Sequence, residues 1–209
     1  AELYVEPFLI YYDRLKAEPS QEIWDNNIKG FYWVREEVPA AIYDQFNTEN
    51  LENFDNETVK AMKACTDAAH KDGKLTFWCP YFRESENVAT PIGYIANQTD
   101  IFDYVILQPN IEVIKQSTLK GAVLDQSGMP YGGEKSSQTG VGPEIEMQAE
   151  DFNGSSGEEV LARYQDYVDA YGDMLDEYPM AFYCGSRPSL MDEQVLSLLE
   201  AFLAKETDA

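Results

Sequence analysis

Residues 28–34 read Ile-Lys-Gly-Phe-Tyr-Trp-Val, a short aromatic and β-branched run that predicts a buried β-strand. Residues 75–82, Leu-Thr-Phe-Trp-Cys-Pro-Tyr-Phe, form a second such run, which Pro80 interrupts near its carboxyl end. Between the two, residues 56–72 place apolar side chains along a helix, and Gly73 is positioned to end it. These segments together predict a strand–helix–strand unit.

The same alternation continues along the rest of the chain. Further strands are predicted at 103–107, 144–147 and 180–184, helices at 3–16, 92–99, 111–124, 157–178 and 192–205, and a long Gly-, Ser- and Gln-rich loop at 127–142. Strands that alternate with helices indicate βαβ units and a parallel sheet, so the fold class is α/β. Five units fit either a complete doubly wound sheet or the second part of an eight-stranded (β/α) barrel.

The charge balance excludes several classes of partner. The 209 residues contain 15 Lys and Arg against 38 Asp and Glu, which gives a formal net charge of −23. Because phosphates are neutralised by clustered basic residues, neither nucleic acid nor an anionic membrane surface is expected as a partner. No apolar run is long enough to span a bilayer, so no membrane span is predicted. No glycine-rich phosphate loop follows a predicted strand, and no cofactor is expected.

Cysteine and histidine are too sparse for a transition-metal site. Cys65, Cys79 and Cys184 lie far apart with no CxxC pair, which predicts buried free thiols rather than a zinc site or a disulfide framework. The single histidine, His70, falls near the end of the 56–72 helix with no nucleophile beside it. Carboxylates are numerous, but no twelve-residue EF-hand loop is present, and no required metal is predicted.

Polar and aromatic side chains follow the predicted strands at their carboxyl ends, where barrels of this type carry functional groups. Carboxylates and amides form hydrogen bonds with hydroxyl groups, and aromatic rings cover the apolar faces of sugar rings. The set therefore suits a hydroxyl-rich, uncharged ligand. The candidate ligand-binding residues are Trp33, Trp78, Tyr81, Gln108, Asn110, Tyr183 and Arg187.

Three glutamates are candidate catalytic residues for glycoside hydrolysis. That reaction needs one carboxyl group to protonate the leaving oxygen and a second, on the opposite face of the sugar, to attack or to activate water. Glu36 and one of Glu144 and Glu146 meet this need because they follow or lie in different strands. Glu144 and Glu146 are two residues apart, so they point to one face of their strand, where each would raise the pKa of the other.

Each of these residues also has a purely structural interpretation. Glu36 is equally a solvated residue at the exit of a strand, and a buried Glu144 or Glu146 is equally the partner of a strand-end arginine. The tryptophans and Tyr183, taken singly, are ordinary core residues. Gln108 and Asn110 are more informative, because amides on both sides of a proline at a strand end do not serve packing.

Taken in order, these strand ends resemble those of the bacterial DUF4855 family, a family of domains of unknown function. The resemblance covers nearly the whole chain, and its most specific segments are Leu-Gln-Pro-Asn at 107–110 and Glu-Ile-Glu at 144–146. The other segments that carry it are 30–33 with Glu36, 77–82, 102–106, 142–143 and 182–185. Three features depart from the family pattern: strands one to three are absent from this sequence, Ile111 stands where an aromatic residue is common, and the 127–142 loop is longer than usual.

The resemblance implies a (β/α)₈ TIM barrel related to glycoside hydrolases, in exported proteins linked to polysaccharide use. It implies that residues 1–209 form one domain, the C-terminal part of the barrel, with about five βα units equivalent to strands 4–8 and the first three strands missing from this chain. Retaining glycosidase barrels often carry the acid/base after strand four and the nucleophile after strand seven. By that analogy Glu36 is the acid/base, Glu146 the nucleophile and Glu144 the alternative nucleophile.

The sequence and the resemblance together lead to one functional hypothesis and two rivals. The first is a retaining-type glycoside hydrolase with a poly- or oligosaccharide substrate, located outside the cell or in the cell envelope. A second chain or fragment, or another copy, would supply the missing strands, because open sheet edges are sticky. The rivals are a non-catalytic glycan-binding or scaffold barrel, and an acidic subunit that completes the barrel of another chain. The distance between the two candidate carboxyl groups distinguishes these hypotheses. A distance of about 5 Å suits a retaining hydrolase, about 6.5–9.5 Å suits an inverting hydrolase, and a larger distance suits binding alone.

Overall fold

The structure is a computed structural model that describes residues 2–37, 56–82, 86–96, 98, 100–108, 141–146, 162, 165, 167, 179–183 and 193–204. The predicted helix at 111–124 and almost all of the predicted loop at 127–142 lie outside these residues. Of the predicted helix at 157–178, residues 162, 165 and 167 are described, and they are helical.

The described helices follow the predicted segments with two differences. They are α1 (Glu2–Ala17), α2 (Gln21–Asn26), α3 (Glu57–Lys71), α4 (Glu86–Ala96) and α5 (Glu193–Ala204). Helix α4 begins at Glu86 rather than at residue 92 and contains Pro91. Helix α2 falls where the sequence analysis predicts no element. The Ser20 hydroxyl caps it by accepting a hydrogen bond from the backbone N–H of Ile23 at 3.3 Å.

All five predicted strands are present: β1 (Gly30–Trp33), β2 (Leu75–Trp78), β3 (Tyr104–Leu107), β4 (Val141–Glu146) and β5 (Ala181–Tyr183). Four are shorter than predicted, and β4 begins earlier. Val141 and Gly142, predicted as the end of a loop, belong to β4 because Val141 pairs with Val105 and Gly142 pairs with Ile106. A strand's first residue depends on its neighbour in the sheet, which local composition does not reveal.

The sheet is parallel throughout, and its strands lie in the order of the sequence, β1-β2-β3-β4-β5. A doubly wound sheet reverses its strand order at a switch point, and this sheet does not. The doubly wound alternative is therefore wrong. The five strands form a curled half-barrel with helices, as expected for part of an α/β barrel.

The core lies between the sheet and the helices that connect its strands. Trp78 and Val105 are fully buried on this side, together with Met62 of α3 and Phe102. A second buried cluster joins Tyr12 of α1, Trp24 of α2 and Ala69 of α3. These contacts fix the helices on one face of the sheet and leave the other face to form the inner surface of the half-barrel.

A polar network closes the amino end of the sheet. The Asp103 carboxylate accepts a hydrogen bond from the backbone N–H of Thr76 at 2.7 Å, and its Oδ2 lies 3.0 Å from His70 Nε2. The Thr76 hydroxyl lies 3.0 Å from the same ring nitrogen. The network joins the last turn of α3 to the start of β2 and to the residue before β3. His70 therefore has a structural role far from the carboxyl ends of the strands.

Candidate functional site

A cavity of about 380 Å³ opens at the carboxyl ends of the strands on the inner face of the half-barrel. Its volume falls within the range of about 300–1,000 Å³ that is typical of small-molecule sites. The residues that line it are Tyr32, Glu36, Phe77, Cys79, Gln108, Glu144, Ala181, Phe182 and Tyr183. Residues from all five strands, or from just beyond their carboxyl ends, therefore surround one space.

Three hydrogen bonds fix Glu36 and the preceding residue, Arg35, beyond the end of β1. Its carbonyl oxygen accepts from the backbone N–H of Tyr81 at 3.0 Å, so pairing with the chain after β2 continues past Trp33. The preceding carbonyl, that of Arg35, accepts from the Trp78 indole at 3.0 Å. The Tyr32 phenol donates to Glu36 Oε1 at 3.1 Å. The carboxylate is exposed to solvent on the cavity side, while its backbone is fixed.

Glu144 reaches the cavity from the middle of β4. It pairs with Ala181 of β5 and is only 8% exposed. The Cys79 thiol donates a hydrogen bond to the Glu144 carboxylate. A buried carboxylate is rarely tolerated without such partners. Glu144 is thus a partnered carboxylate inside the sheet, in contrast to the exposed carboxylate of Glu36.

The Glu36 and Glu144 carboxylates both influence the Cys79 thiol and the Tyr32 phenol. Burial raises the pKa of the Cys79 thiol far above its ordinary value, and the charges of Glu144 and Glu36 raise it further. Burial, followed by the charge of Glu36, likewise raises the pKa of the Tyr32 phenol, with a smaller contribution from Glu144. Both groups therefore keep their protons at neutral pH and serve as donors to the carboxylates.

A family profile described as Domain of unknown function (DUF4855) matches residues 5–195. The chain belongs to the DUF4855 family. None of the curated proteins and none of the solved structures compared with the chain matches it. Since the family description assigns no activity, the function of this DUF4855 chain has to be argued from the site itself.

The aromatic residues at the cavity of this DUF4855 chain differ from the two tryptophans predicted as ligand-binding residues. Trp33 and Trp78 lie on the helix side of the sheet, where both contact the Phe102 ring. Trp78 is 0% exposed, so the structure does not bring it to the cavity. Tyr32 and Phe77 line the cavity instead, and their rings stack at 4.7 Å.

Strand alternation would have identified these two aromatics. Side chains on one face of a strand are separated by two residues, so counting back from Glu36 leads to Tyr32 and not to Trp33. The parallel register pairs Tyr32 with Phe77, which places Phe77 and, two residues later, Cys79 on the same face. Tyr32, Phe77 and Cys79 are absent from the predicted site residues because the nearly continuous apolar runs of β1 and β2 do not themselves show which positions face inward.

Three other predicted ligand-binding residues of the DUF4855 chain are described near the cavity. Gln108 lines it and donates from Nε2 to the Cys79 carbonyl at 3.3 Å, so the amide also braces the neighbouring strand end. Tyr81 pairs with Gln108 just beyond β2 and β3. Tyr183 lines the cavity and is 48% exposed. The amide and the exposed phenol are available to bind hydroxyl groups.

The remaining predicted site residues fall partly or wholly outside the described residues. The backbone of Glu146 lies at the end of β4 and pairs with Tyr183, while its side chain is outside the description. Asn110 and Arg187 lie outside it entirely. Within the described ranges, no group of three or more His, Cys, Asp or Glu side chains is arranged to hold a metal ion. No helix in these ranges is long and apolar enough to cross a membrane.

Proposed function

We propose that this cavity binds a carbohydrate and that the chain contributes two glutamates to the hydrolysis of a glycosidic bond. The observation that carries the proposal is that Glu36 and Glu144, from the first and fourth strands, line one cavity together with aromatic rings. Glycoside hydrolysis needs two carboxyl groups on opposite sides of the scissile bond. Two strands that are not neighbours in the sheet can flank a sugar in this way.

In this mechanism Glu36 is the acid/base and a carboxylate of β4 is the second group. Glu144 lines the cavity, and Glu146 ends the same strand two residues later in the sequence, so both are candidates for the second role. The carboxylate that serves as nucleophile must remain ionised. The Cys79 thiol donates a hydrogen bond to the Glu144 carboxylate, and this partner holds Glu144 in place at the cavity, which supports Glu144 in that role.

The lining of the cavity favours an uncharged sugar. Among the described lining residues, none carries a cationic side chain and two carry carboxylates. A uronic acid or a sulfated sugar would place its negative charge beside those carboxylates with no opposing charge in the described lining, and this is unfavourable. A neutral sugar can present hydroxyl groups to Gln108 and Tyr183 and an apolar face to the aromatic rings.

The proposal extends to a partner that completes the cavity. The strands run in sequence order around half a barrel, and the described residues provide no strand on the outer side of β1 or of β5. We propose that further parallel strands, from a second chain or fragment, form the opposite wall. Comparison of the native and denaturing masses of the purified protein tests this point, since a bound fragment adds its mass to the native species and separates as a species of its own under denaturing conditions.

Screening neutral oligosaccharides for hydrolysis, followed by single substitutions, tests the function. Glu36→Gln and Glu144→Gln are each expected to abolish turnover with the fold retained, and Glu146→Gln identifies which β4 carboxylate reacts. Glu22→Gln, which alters an exposed helical carboxylate of the same type, is the matched control. Full activity in both Glu36→Gln and Glu144→Gln would refute the assignment.

A non-catalytic glycan-binding function is the second candidate. It is favoured by the exposure of Glu36, because a carboxylate in contact with water does not have the dry surroundings in which active sites strengthen electrostatic interactions. Isothermal titration calorimetry with the same oligosaccharides separates the two functions. Binding without turnover, unaffected by Glu36→Gln, supports the glycan-binding function.

A further inference from the structure

Trp78 lies directly behind the cavity, on the helix side of β2. Its indole is fully buried, and its ring stacks on Phe102 with 5.6 Å between the ring centroids. The indole N–H donates a hydrogen bond to the carbonyl of Arg35 at 3.0 Å. A side chain from β2 thus holds the backbone of the residue immediately before Glu36.

The chain between Trp33 and Glu36 has left the regular strand, and few interactions fix it. The Tyr81 backbone N–H holds the Glu36 carbonyl at 3.0 Å, and the Trp78 indole holds the Arg35 carbonyl one residue earlier. Two consecutive carbonyls are therefore anchored to β2 and its extension. This anchoring sets the direction in which the Glu36 side chain leaves the backbone.

Trp33 provides an internal comparison for this role. Its indole also contacts Phe102, with the centroids 6.5 Å apart, but its buried Nε1 has no hydrogen-bond partner among the described residues. Packing against Phe102 therefore does not by itself require an indole N–H. At position 78 the N–H makes a specific bond, and a phenylalanine there would keep the aromatic packing while losing that bond.

We propose that Trp78 is a positioning residue for Glu36, which it orients toward the cavity through the Arg35 carbonyl. The catalytic meaning of this role rests on the proposed function, but the positioning itself does not. Loss of the indole N–H removes one of the two backbone anchors of the 34–36 segment, and the Glu36 carboxylate then shifts away from the Tyr32 phenol to which it is hydrogen-bonded.

The Tyr32 phenol is hydrogen-bonded to the Glu36 carboxylate, so its surroundings change when that carboxylate moves away. We would label tyrosine Cζ with carbon-13, assign the Tyr32 resonance by Tyr32→Phe, and record it near neutral pH, with Glu36→Ala as the reference for loss of the hydrogen bond. The resonance is expected to shift toward its Glu36→Ala position in Trp78→Phe and to stay at its parental position in Trp33→Phe. A parental resonance in folded Trp78→Phe would overturn the proposal.

A second variant covers the case in which Trp78→Phe does not fold. Replacing Trp78 with benzothienylalanine keeps the shape of the indole and substitutes sulfur for the N–H. The same shift of the Tyr32 resonance is expected, and a parental resonance in this variant would equally overturn the proposal.

Kinetics separate this inference from the proposed function. If a glycoside substrate is found, Trp78→Phe should lower kcat on the order of 10- to 100-fold with little change in KM, since misplacement by about 1 Å can cost about 100-fold. Trp33→Phe should retain parental kinetics. A Tyr32 resonance that shifts as expected in a protein without hydrolase activity would uphold the positioning role and refute the hydrolase function.

Discussion

The Tyr32 phenol donates a hydrogen bond to Glu36 Oε1 at 3.1 Å, although the two residues are four positions apart on an extended stretch of chain. Four extended residues span about 13 Å, so both side chains must run along the strand direction to meet. Both side chains line the cavity. The contact fixes the carboxylate, and it also raises the pKa of the phenol.

The raised tyrosine pKa values predict a loss of stability at alkaline pH. Burial, then a neighbouring carboxylate, raises the pKa of both Tyr12 and Tyr32 above the ordinary value of about 10. A phenol ionises more readily in the unfolded chain than in the folded one. Its contribution to the free energy of unfolding is therefore complete below about pH 10 and is lost as the pH rises further.

Urea unfolding at a series of pH values above and below about 10 measures this loss. Tyr12→Phe should flatten the alkaline decline, and Tyr32→Phe should flatten it less, because Tyr32 is 37% exposed and Tyr12 only 3%. Tyr11→Phe alters an exposed tyrosine of the same helix and is the control. Identical declines in all three variants would contradict the prediction.

The polar network at the amino end of the sheet predicts a large effect of Asp103→Asn on stability. The Asp103 carboxylate accepts from the Thr76 backbone N–H at 2.7 Å and from its hydroxyl at 3.1 Å. A hydrogen bond to a charged group contributes about 1.5–3 kcal/mol, so we expect a decrease of that order in the free energy of unfolding.

Asp67→Asn is the matched control for Asp103→Asn. Asp67 forms an exposed ion pair with Lys63 at 2.9 Å, and pairs of that kind contribute about 0–1 kcal/mol. Chemical denaturation of both variants beside the parent checks the difference. Equal stabilities of the two variants would mean that the network does not hold the amino ends of β2 and β3.

The strands could be located from sequence because four of them are largely apolar runs bounded by helices or polar residues, while β4 carries Ile145 between two glutamates after Pro143. Their carboxyl ends meet at one edge of a parallel sheet, which is why the sequence could also bring Glu36 and Glu144 together. The choice between a doubly wound sheet and part of a barrel could not be made from the residues, because strand order depends on long-range pairing.

The orientation of β1 and β2 was the least predictable feature. Strands covered on both faces are apolar at nearly every position, so they lack the alternation that distinguishes an inward from an outward residue. Trp78 is the larger and more ligand-like aromatic, yet Phe77 faces the cavity. The polar residue that follows the strand, Glu36, shows which positions face inward. Counting back from Glu36 in steps of two residues leads to Tyr32, which lines the cavity.

We expect that position 142 in β4, which is occupied by glycine, does not tolerate a side chain. A Cβ atom there would lie 1.5 Å from the carbonyl oxygen of Pro179, which precedes β5, so the backbone would have to move. Overpacking typically costs about 1–3 kcal/mol, and we expect Gly142→Ala to lower the free energy of unfolding by at least that amount. Because Glu144 follows two residues later, ligand binding should weaken as well.

Gly73→Asn provides the comparison for Gly142→Ala. Gly73 has a φ of +69° and nothing within 4 Å of its potential Cβ, and asparagine tolerates that left-handed conformation. Chemical denaturation should therefore show a small change for Gly73→Asn and a large one for Gly142→Ala. A small change at Gly142 would mean that β4 and β5 are not as close as the structure places them.

The hydrogen bond between Cys79 and Glu144 predicts how the reactivity of the thiol depends on pH. The thiolate is the reactive form, and burial followed by the Glu144 charge raises the Cys79 pKa. Burial alone raises the pKa of Cys65 to about 11. Both thiols should therefore resist alkylation in the folded protein near neutral pH.

Glu144→Gln removes the neighbouring charge and should lower the pKa of Cys79, so alkylation of Cys79 should begin at a lower pH. We would follow both cysteines by mass spectrometry of peptides from a Cys184→Ser background. Cys65 is the internal control for opening of the whole fold, since its environment does not include Glu144. Glu36→Gln should shift Cys79 in the same direction by less, because the Glu36 charge contributes less to the raised pKa. If neither substitution moves the Cys79 profile, the two carboxylates do not share one cavity, and the site proposed for glycoside hydrolysis fails with it.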